Sequence, residues 1–240
     1  MQLYDMHSHI LPDFDDGAQT IEDSLLLLDC LEKQGVTNVC LTPHFYTNEM
    51  SLDDFISKRA EAFENFIPHK PSGINIVLGA EVYVTRYLFN NADLSGLTYG
   101  NSKYILTEFA YNSTFSKTTL EYINMLVGAY GLIPVIPHVE RYYMLADNPE
   151  MIYELRNIGV VIQSNISNYT SKAPMMKRRR MIKLVKAGLI DILGTDAHSF
   201  EHNNPEYYSQ ALKYISDKCG ETALKKMMGK AEIIFNSATG

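Results

Sequence analysis

Cysteine is scarce in this chain of 240 residues: Cys30, Cys40 and Cys219 are widely spaced, odd in number, and form no C-x-x-C pair. That excludes a disulfide framework and a thiolate zinc site, and a reducing, cytoplasmic compartment is the simplest expectation. No cysteine opens a C-x5-R loop, so a cysteine-based phosphatase is excluded as well. Long apolar runs are missing: none approaches the ~20 residues needed to span a bilayer. The opening MQLYDMHSHI has no basic stretch leading into an apolar one, so neither a signal peptide nor membrane insertion is expected. Excess positive charge is also absent. With a net charge of −7, nothing offsets phosphate repulsion globally, which argues against nucleic acid as a partner. The one basic run, Lys177-Arg178-Arg179-Arg180, reads first as a solvated helix face and second as a local patch docking an anionic partner near a site. Repeats, low-complexity tracts and dividing linkers are lacking, so residues 1–240 are expected to form a single domain.

What is present is an alternation. Short apolar runs at Leu3–Met6, Asn38–Leu41, Ile74–Leu78, Lys103–Leu106, Leu132–Ile136, Val160–Ile162 and Asp191–Leu193 alternate with longer helical patterns. Near-continuous hydrophobic runs of this length suit strands buried on both faces, and the alternation suits βα units on a parallel sheet. Residues 20–34 place Ile21, Leu25, Leu28 and Leu31 on one stripe, with Thr20 as N-cap and Gly35 just past the end. Ser51 is expected to cap a second helix, Asn148-Pro149 to start another, and 205–228 to be helical with a break at Gly220. Seven strands alternating with helices favour an α/β barrel over an open sheet.

The chemistry is read from position. His44 follows VCLTP, Glu81 follows IVLGA, Glu108 follows YILT, His138 follows PVIP, and Asp196 with His198 follows ILGT. In parallel α/β barrels the carboxyl-terminal rim is where loops converge into active sites, and five strands deliver a metal-competent side chain there. The first strand adds His7-Ser8-His9, whose imidazoles share a face at i, i+2 and can grip one ion. Asp5, on the same face, is either a carboxylate that orients an imidazole or a buried group bonded to backbone. Imidazoles and carboxylates without thiolate suit Mn²⁺, Fe²⁺ or Zn²⁺, and the carboxylates allow bridging between ions. Clustered ions of this kind activate water as a nucleophile at phosphorus.

D-M-H-S-H-I-L-P, D-F-D-D-G-A, T-P-H, G-A-E, T-E, P-H-V-E-R-Y and G-T-D-A-H, in that order across residues 3–200, resemble the PHP superfamily of polymerase and histidinol phosphatase-like phosphoesterases. Within it the chain is similar to the bacterial manganese-dependent tyrosine-protein phosphatases of capsular and exopolysaccharide loci. The resemblance implies a distorted (β/α)7 TIM-like barrel and three Mn²⁺ ions. One would be held by His7, His9, Glu81 and Asp196, a second by Glu81, Glu108 and His138, and a third by Asp16, His44 and His198. The D-D-G motif selects Asp16, leaving Asp13 and Asp15 as turn or solvent residues. His69 and His202 match no motif position and default to surface or structural roles.

Arg141, three residues after His138, is the expected phosphoryl clamp, its planar fork matching phosphate oxygens; a salt bridge to Glu140 or another carboxylate is the plainer reading. Tyr46, Tyr111 and Tyr142 lie close to motif residues, where they would shape a pocket for an aromatic phosphate or simply pack. The chain departs from the family pattern after D-A-H, where Ser199–Asn204 contains no arginine, and after T-P-H, where Phe45–Asn48 contains no basic residue. The implied substrate is phosphotyrosine on a tyrosine kinase of polysaccharide export, cleaved by metal-activated hydroxide. A small-metabolite phosphatase of the histidinol-phosphate type, a regulatory protein with little catalysis, and a barrel deoxyribonuclease are the alternatives.

Overall fold

Every strand pairing is parallel, and strand order follows chain order. The computed structural model describes residues 1–111 and 115–240. A three-stranded sheet holds β1 (Leu3–Ser8), β2 (Val36–Leu41) and β4 (Asn75–Leu78). A six-stranded sheet holds β3 (His44–Tyr46), β5 (Glu81–Tyr83), β6 (Tyr104–Glu108), β7 (Ile133–Ile136), β8 (Val161–Asn165) and β9 (Ile192–Gly194). All seven expected strands are found. The additional segments β3 and β5 continue β2 and β4 after short interruptions, so the seven strands of the distorted barrel are intact in order but two are broken.

Each break has a local cause. Thr42-Pro43 separates β2 from β3, and proline brings no N–H to the ladder. Gly79-Ala80 separates β4 from β5. The carbonyl freed at Gly79 accepts from the buried Arg59 guanidinium at 2.6 Å, which also donates to the Gly96 carbonyl at 2.7 Å. After the break the chain re-enters in a register that sets His44 beside Glu81 and Tyr83 beside Glu108. The first and last strands meet through a parallel bridge between Ser8 and Ala197, with Asp196 N–H donating to the His7 carbonyl at 2.7 Å and His9 N–H to the Ala197 carbonyl at 2.9 Å.

The helices form where their caps direct. Thr20 caps α1 (Ile21–Lys33) in a reciprocal capping box with Asp23, and Ser51 caps α2 (Leu52–Phe66) through Asp54 N–H. After α3 (Lys117–Gly128) and the short α4 (Tyr143–Ala146), Asn148 stands at the start of α5 (Pro149–Asn157), but its side chain makes no cap bond; the proline at the first position alone defines the start. Beyond α6 (Met175–Lys186), the helix expected over 205–228 is a 3-10 turn, then α7 (Tyr208–Cys219) and α8 (Glu221–Thr239), broken at Gly220 with φ 85° as expected and extending further than the sequence suggested. No helix among the described residues is long and apolar enough to cross a membrane.

One glycine decides how closely the last strand approaches the first. A Cβ on Gly194 would lie 2.6 Å from His7 Cβ and 2.8 Å from Gln163 Nε2, and neither neighbour has room to retreat in a buried ladder. Gly194→Ala is therefore expected to cost about 1–3 kcal/mol of stability, as overpacking does, read from urea denaturation. An unchanged midpoint would show that the approach is looser than described.

Candidate metal centre

The side chains at the carboxyl-terminal rim converge on Glu81, whose carboxylate is 1% exposed. Its Oε2 lies 3.1 Å from His7 Nε2, 3.2 Å from His9 Nε2 and 3.3 Å from His44 Nδ1, and its Oε1 lies 2.8 Å from His138 Nε2. Across from it, Asp196 Oδ1 stands 3.5 Å from His7 Nε2 and 3.4 Å from His9 Nε2. The ring nitrogens of His7 and His9 are themselves 3.1 Å apart. Lone pairs converging this closely, with two carboxylate oxygens at the same point, match the donor set of a divalent cation. Burial alone would raise the Glu81 carboxyl, yet His7, His138 and His9 hold it well below the usual range; Asp196 is likewise held low by His7, His9 and Arg141 against its burial. Both are anionic at neutral pH, as ligands must be.

Among the described residues, three groupings of donor atoms are close enough to hold an ion. His7, His9, Glu81 and Asp196 form the first, as the resemblance implied. Asp16, His44 and His198 form another together with His9, and His44, Glu81 and Glu108 form the last. His138 faces the last group, 2.8 Å from Glu81 and 3.7 Å from Glu108. The centre grades from closed to open: His7, His9 and His138 are fully buried, whereas the Asp16 carboxylate is 68% exposed, 3.7 Å from His44 and 3.5 Å from His198.

Side chains behind the donors aim them. The Asp15 carboxylate accepts from His9 Nδ1 at 2.7 Å and from the backbone N–H of Gly17 and of His44, both at 2.9 Å. This fixes one proton of His9 on Nδ1 and aims Nε2 at the centre. Burial opposes charge on His9, but Asp15 outweighs it and raises the imidazole well above its ordinary value. His198 Nδ1 donates to the Asp196 carbonyl at 2.7 Å, turning Nε2 toward Asp16; burial and the neighbouring His9 push it down to about 4. Asn165 Nδ2 donates to Asp196 Oδ2 at 2.8 Å, keeping Oδ1 for the centre. His138 and Asp196 both have left-handed backbones, φ 32° and 56°, an uncommon conformation for such residues that clusters at functional sites.

The structure overturns one expectation and decides between the alternatives of several others. Asp15 is not a turn or solvent residue, because its side chain is nearly buried against His9; Asp13, exposed in a turn, fits that reading. Asp5 fits the second of its two readings, a buried group bonded to backbone: it accepts from Thr195 N–H at 2.8 Å and the Thr195 hydroxyl at 2.5 Å, and burial pushes its carboxyl up to about 6. Glu140 is not the partner of Arg141, since its carboxylate accepts from Ser164 Oγ and Asn165 N–H. The arginine's salt bridge is with another carboxylate, as the plainer reading allowed: Arg141 donates to Asp196 Oδ2 at 2.6 Å, and also to the Tyr111 hydroxyl at 2.9 Å. Tyr142 is buried, with its hydroxyl on the Phe109 backbone, so it supports the site from behind and does not line it.

A cavity of about 440 Å³ opens over the donors, walled by Tyr46, Tyr83, Tyr111 and Arg141. His202 also lines it, its ring 4.8 Å from that of His198. No motif pointed to His202 or Tyr83, and only the folding of the loop after D-A-H brings His202 to the mouth. Asn165 ends β8 and so falls under the rim rule, but an amide is not a titratable ligand, and its chemistry alone does not mark it.

The profile of the capsular polysaccharide synthesis family CpsB/CapC matches residues 3–234. The chain is 29% identical to the tyrosine-protein phosphatase CpsB of Streptococcus pneumoniae over 238 residues, covering 94% of each chain. It is 28% identical to the putative tyrosine-protein phosphatase CapC of Staphylococcus aureus, over 98% of this chain and 92% of that one. Among solved structures, a chain from the crystal structures of YwqE from Bacillus subtilis and CpsB from Streptococcus pneumoniae, metal-dependent tyrosine phosphatases, shares the fold with a TM-score of 0.80 at 23% identity, over 98% of this chain and 95% of that one. The phosphotriesterase homology protein of Escherichia coli shares it more distantly, with a TM-score of 0.61 at 16% identity and 98% coverage of both chains.

The role of Asp15 generates a direct test. Asp15→Asn is expected to weaken divalent-cation binding by roughly 10–100-fold, as loss of an outer-shell partner does, measured by titration calorimetry. Equal affinity in the variant would mean that the His9–Asp15 bond does not aim a ligand.

Proposed function

The chain belongs to the CpsB/CapC family of capsular polysaccharide synthesis, and from that membership we propose that it is a metal-dependent phosphatase of protein phosphotyrosine. Residues 1–240 act as one catalytic unit in the cytoplasm, on the phosphorylated tyrosine kinase of polysaccharide export. The observation that carries this reading is the convergence of eight imidazole and carboxylate side chains around one buried carboxylate, Glu81, beneath a tyrosine-walled cavity.

His7, His9, Glu81 and Asp196 hold one ion, Glu81, Glu108 and His138 a second, and Asp16, His44 and His198 a third, with Mn²⁺ the preferred metal and Fe²⁺ or Zn²⁺ compatible with the same donors. When bound, such ions supply an activated water and the positive charge that offsets the phosphoryl oxygens. The protein does the rest. Glu81 sits between the first two groups, with one oxygen toward His7 and His9 and the other toward His138. Arg141, locked by Asp196 and Tyr111, presents a fork at the cavity wall that suits two phosphate oxygens. Its rigidity is prepaid by those bonds, so little side-chain freedom is lost when the ester arrives. Tyr46, Tyr83 and Tyr111 offer flat apolar faces to the aromatic ring of the ester.

An open mouth favours a polypeptide over a small metabolite. Tyr111 and Arg141 line both this cavity and a larger groove of about 1130 Å³ beside it, so chain on either side of a tyrosine has somewhere to lie. None of the three cysteines lines the cavity, which accords with hydrolysis without a cysteinyl intermediate.

Chelation with EDTA is expected to abolish hydrolysis of a phosphotyrosyl peptide and added Mn²⁺ to restore it. His138→Ala is expected to lose more than about 100-fold in kcat/KM, above the range for an outer-shell partner, with the circular dichroism spectrum retained. A variant with all three cysteines replaced should keep its turnover; its inactivation would contradict the mechanism. Faster turnover of histidinol phosphate than of the peptide would make the chain a metabolite phosphatase instead.

A further inference from the structure

The basic run of the sequence, Lys177-Arg178-Arg179-Arg180, falls on α6, and helical geometry divides its labour. Arg178 turns away: its guanidinium lies 4.9 Å over the Tyr214 ring and donates to the Thr170 carbonyl. Lys177, Arg179, Arg180 and Lys183 instead wall the groove that continues from the metal cavity. Arg180 is already engaged, 2.9 Å from Asp147 and stacked over Tyr143. Lys177, Arg179 and Lys183 form no ion pair among the described residues. The other carboxylate of the groove, Glu140, is buried and satisfied by Ser164 and Asn165. A chain of net charge −7 thus keeps three unneutralised cations together beside its candidate active site. Large apolar side chains stand among them, Tyr143 69% exposed and Met176 84% exposed.

We propose that this groove binds the residues flanking the target tyrosine of a substrate polypeptide and selects acidic ones, through Lys177, Arg179 and Lys183. The proposal rests on the phosphotyrosine reading above and adds a sequence preference to it. Arg179 and Lys183 are four residues apart on the helix and so neighbours on one face, about 6 Å apart along its axis at ~1.5 Å per residue, close to the ~6.6 Å between alternate residues of an extended chain, and Lys177 lies earlier along the same groove wall. Charge complementarity across a rim of this kind governs encounter and partner choice more than chemistry, so the preference acts through binding. Tyr143 and Met176 supply apolar contact between the charges, as mixed docking surfaces do.

The test compares three esters with the Mn²⁺-loaded full chain: 4-nitrophenyl phosphate, a phosphotyrosyl peptide with aspartate and glutamate at the three positions on each side, and the same peptide with serine there. The acidic peptide is expected to show a kcat/KM about tenfold higher, carried by KM and fading as ionic strength rises. Lys177→Glu/Arg179→Glu/Lys183→Glu should reverse the preference, while kinetics on 4-nitrophenyl phosphate, which reaches only the metal cavity, report an intact fold. Equal kcat/KM for the two peptides, or a variant that slows both equally, overturns the groove and leaves the phosphatase standing. Binding to phosphatidylglycerol vesicles that depends on these three residues, without a peptide preference, overturns it in favour of a membrane surface. Failure to hydrolyse any of the three esters overturns the phosphatase reading and the groove with it.

Discussion

Burying a carboxylate is costly unless positive charge surrounds it, and Glu81 is buried almost completely among four imidazoles. That arrangement constrains everything near it. His7 and His9 must leave the first strand on one face, His44 must sit beside Glu81 in register, and His138 must approach from the far side. Without a cation, the centre retains its balance by holding protons: facing Glu81 and Asp196 raises His7 despite its burial, and Asp15 does the same for His9. A divalent cation would require His7 and His9 to shed those protons, so affinity for metal would fall as pH drops.

The fold supplies this geometry by departing from regularity. Breaks at Thr42-Pro43 and Gly79-Ala80 allow His44 and Glu81 to begin new strand segments and to pair with each other. Left-handed turns at His138 and Asp196 bend two strand exits inward, and Gly194 lets the last strand pass against His7. Strain and close approach are concentrated where the site is, and the remaining strands are ordinary buried parallel strands. Behind the donors, Asp15, Asn165 and the Asp196 carbonyl fix which atom each neighbour presents. Arg141 shares Asp196 with the candidate metal cage, one oxygen for each. Any change at Asp196 therefore disturbs both the cage and the arginine.

The barrel strands were legible because each is a short apolar run closed by a polar residue, and all seven positions hold. The interruptions were not, because a hydrophobic run does not reveal where a proline or glycine will end one hydrogen-bonded segment and start another. Helix starts at Thr20 and Ser51 were readable from cap chemistry, whereas the cap bond expected of Asn148 does not form. At the site, ionisable residues at strand ends stood out by chemistry and position together. Asp15 did not, since nothing local distinguishes it from Asp13 and Asp16; the distinction arises only when the loop folds back on His9. His202 and Tyr83 reach the cavity by tertiary placement alone, and Tyr142 is withdrawn from it for the same reason.

We propose that one carboxylate, Glu81, would be shared between two ions. Electron paramagnetic resonance of the Mn²⁺-loaded chain tests it directly, because ions of a two-metal site lie about 3.5–4 Å apart and would couple magnetically. A spin-coupled manganese spectrum in the native chain, replaced by the signal of isolated Mn²⁺ in Glu81→Gln, is the predicted result. A native spectrum showing only uncoupled, isolated ions would contradict the shared centre.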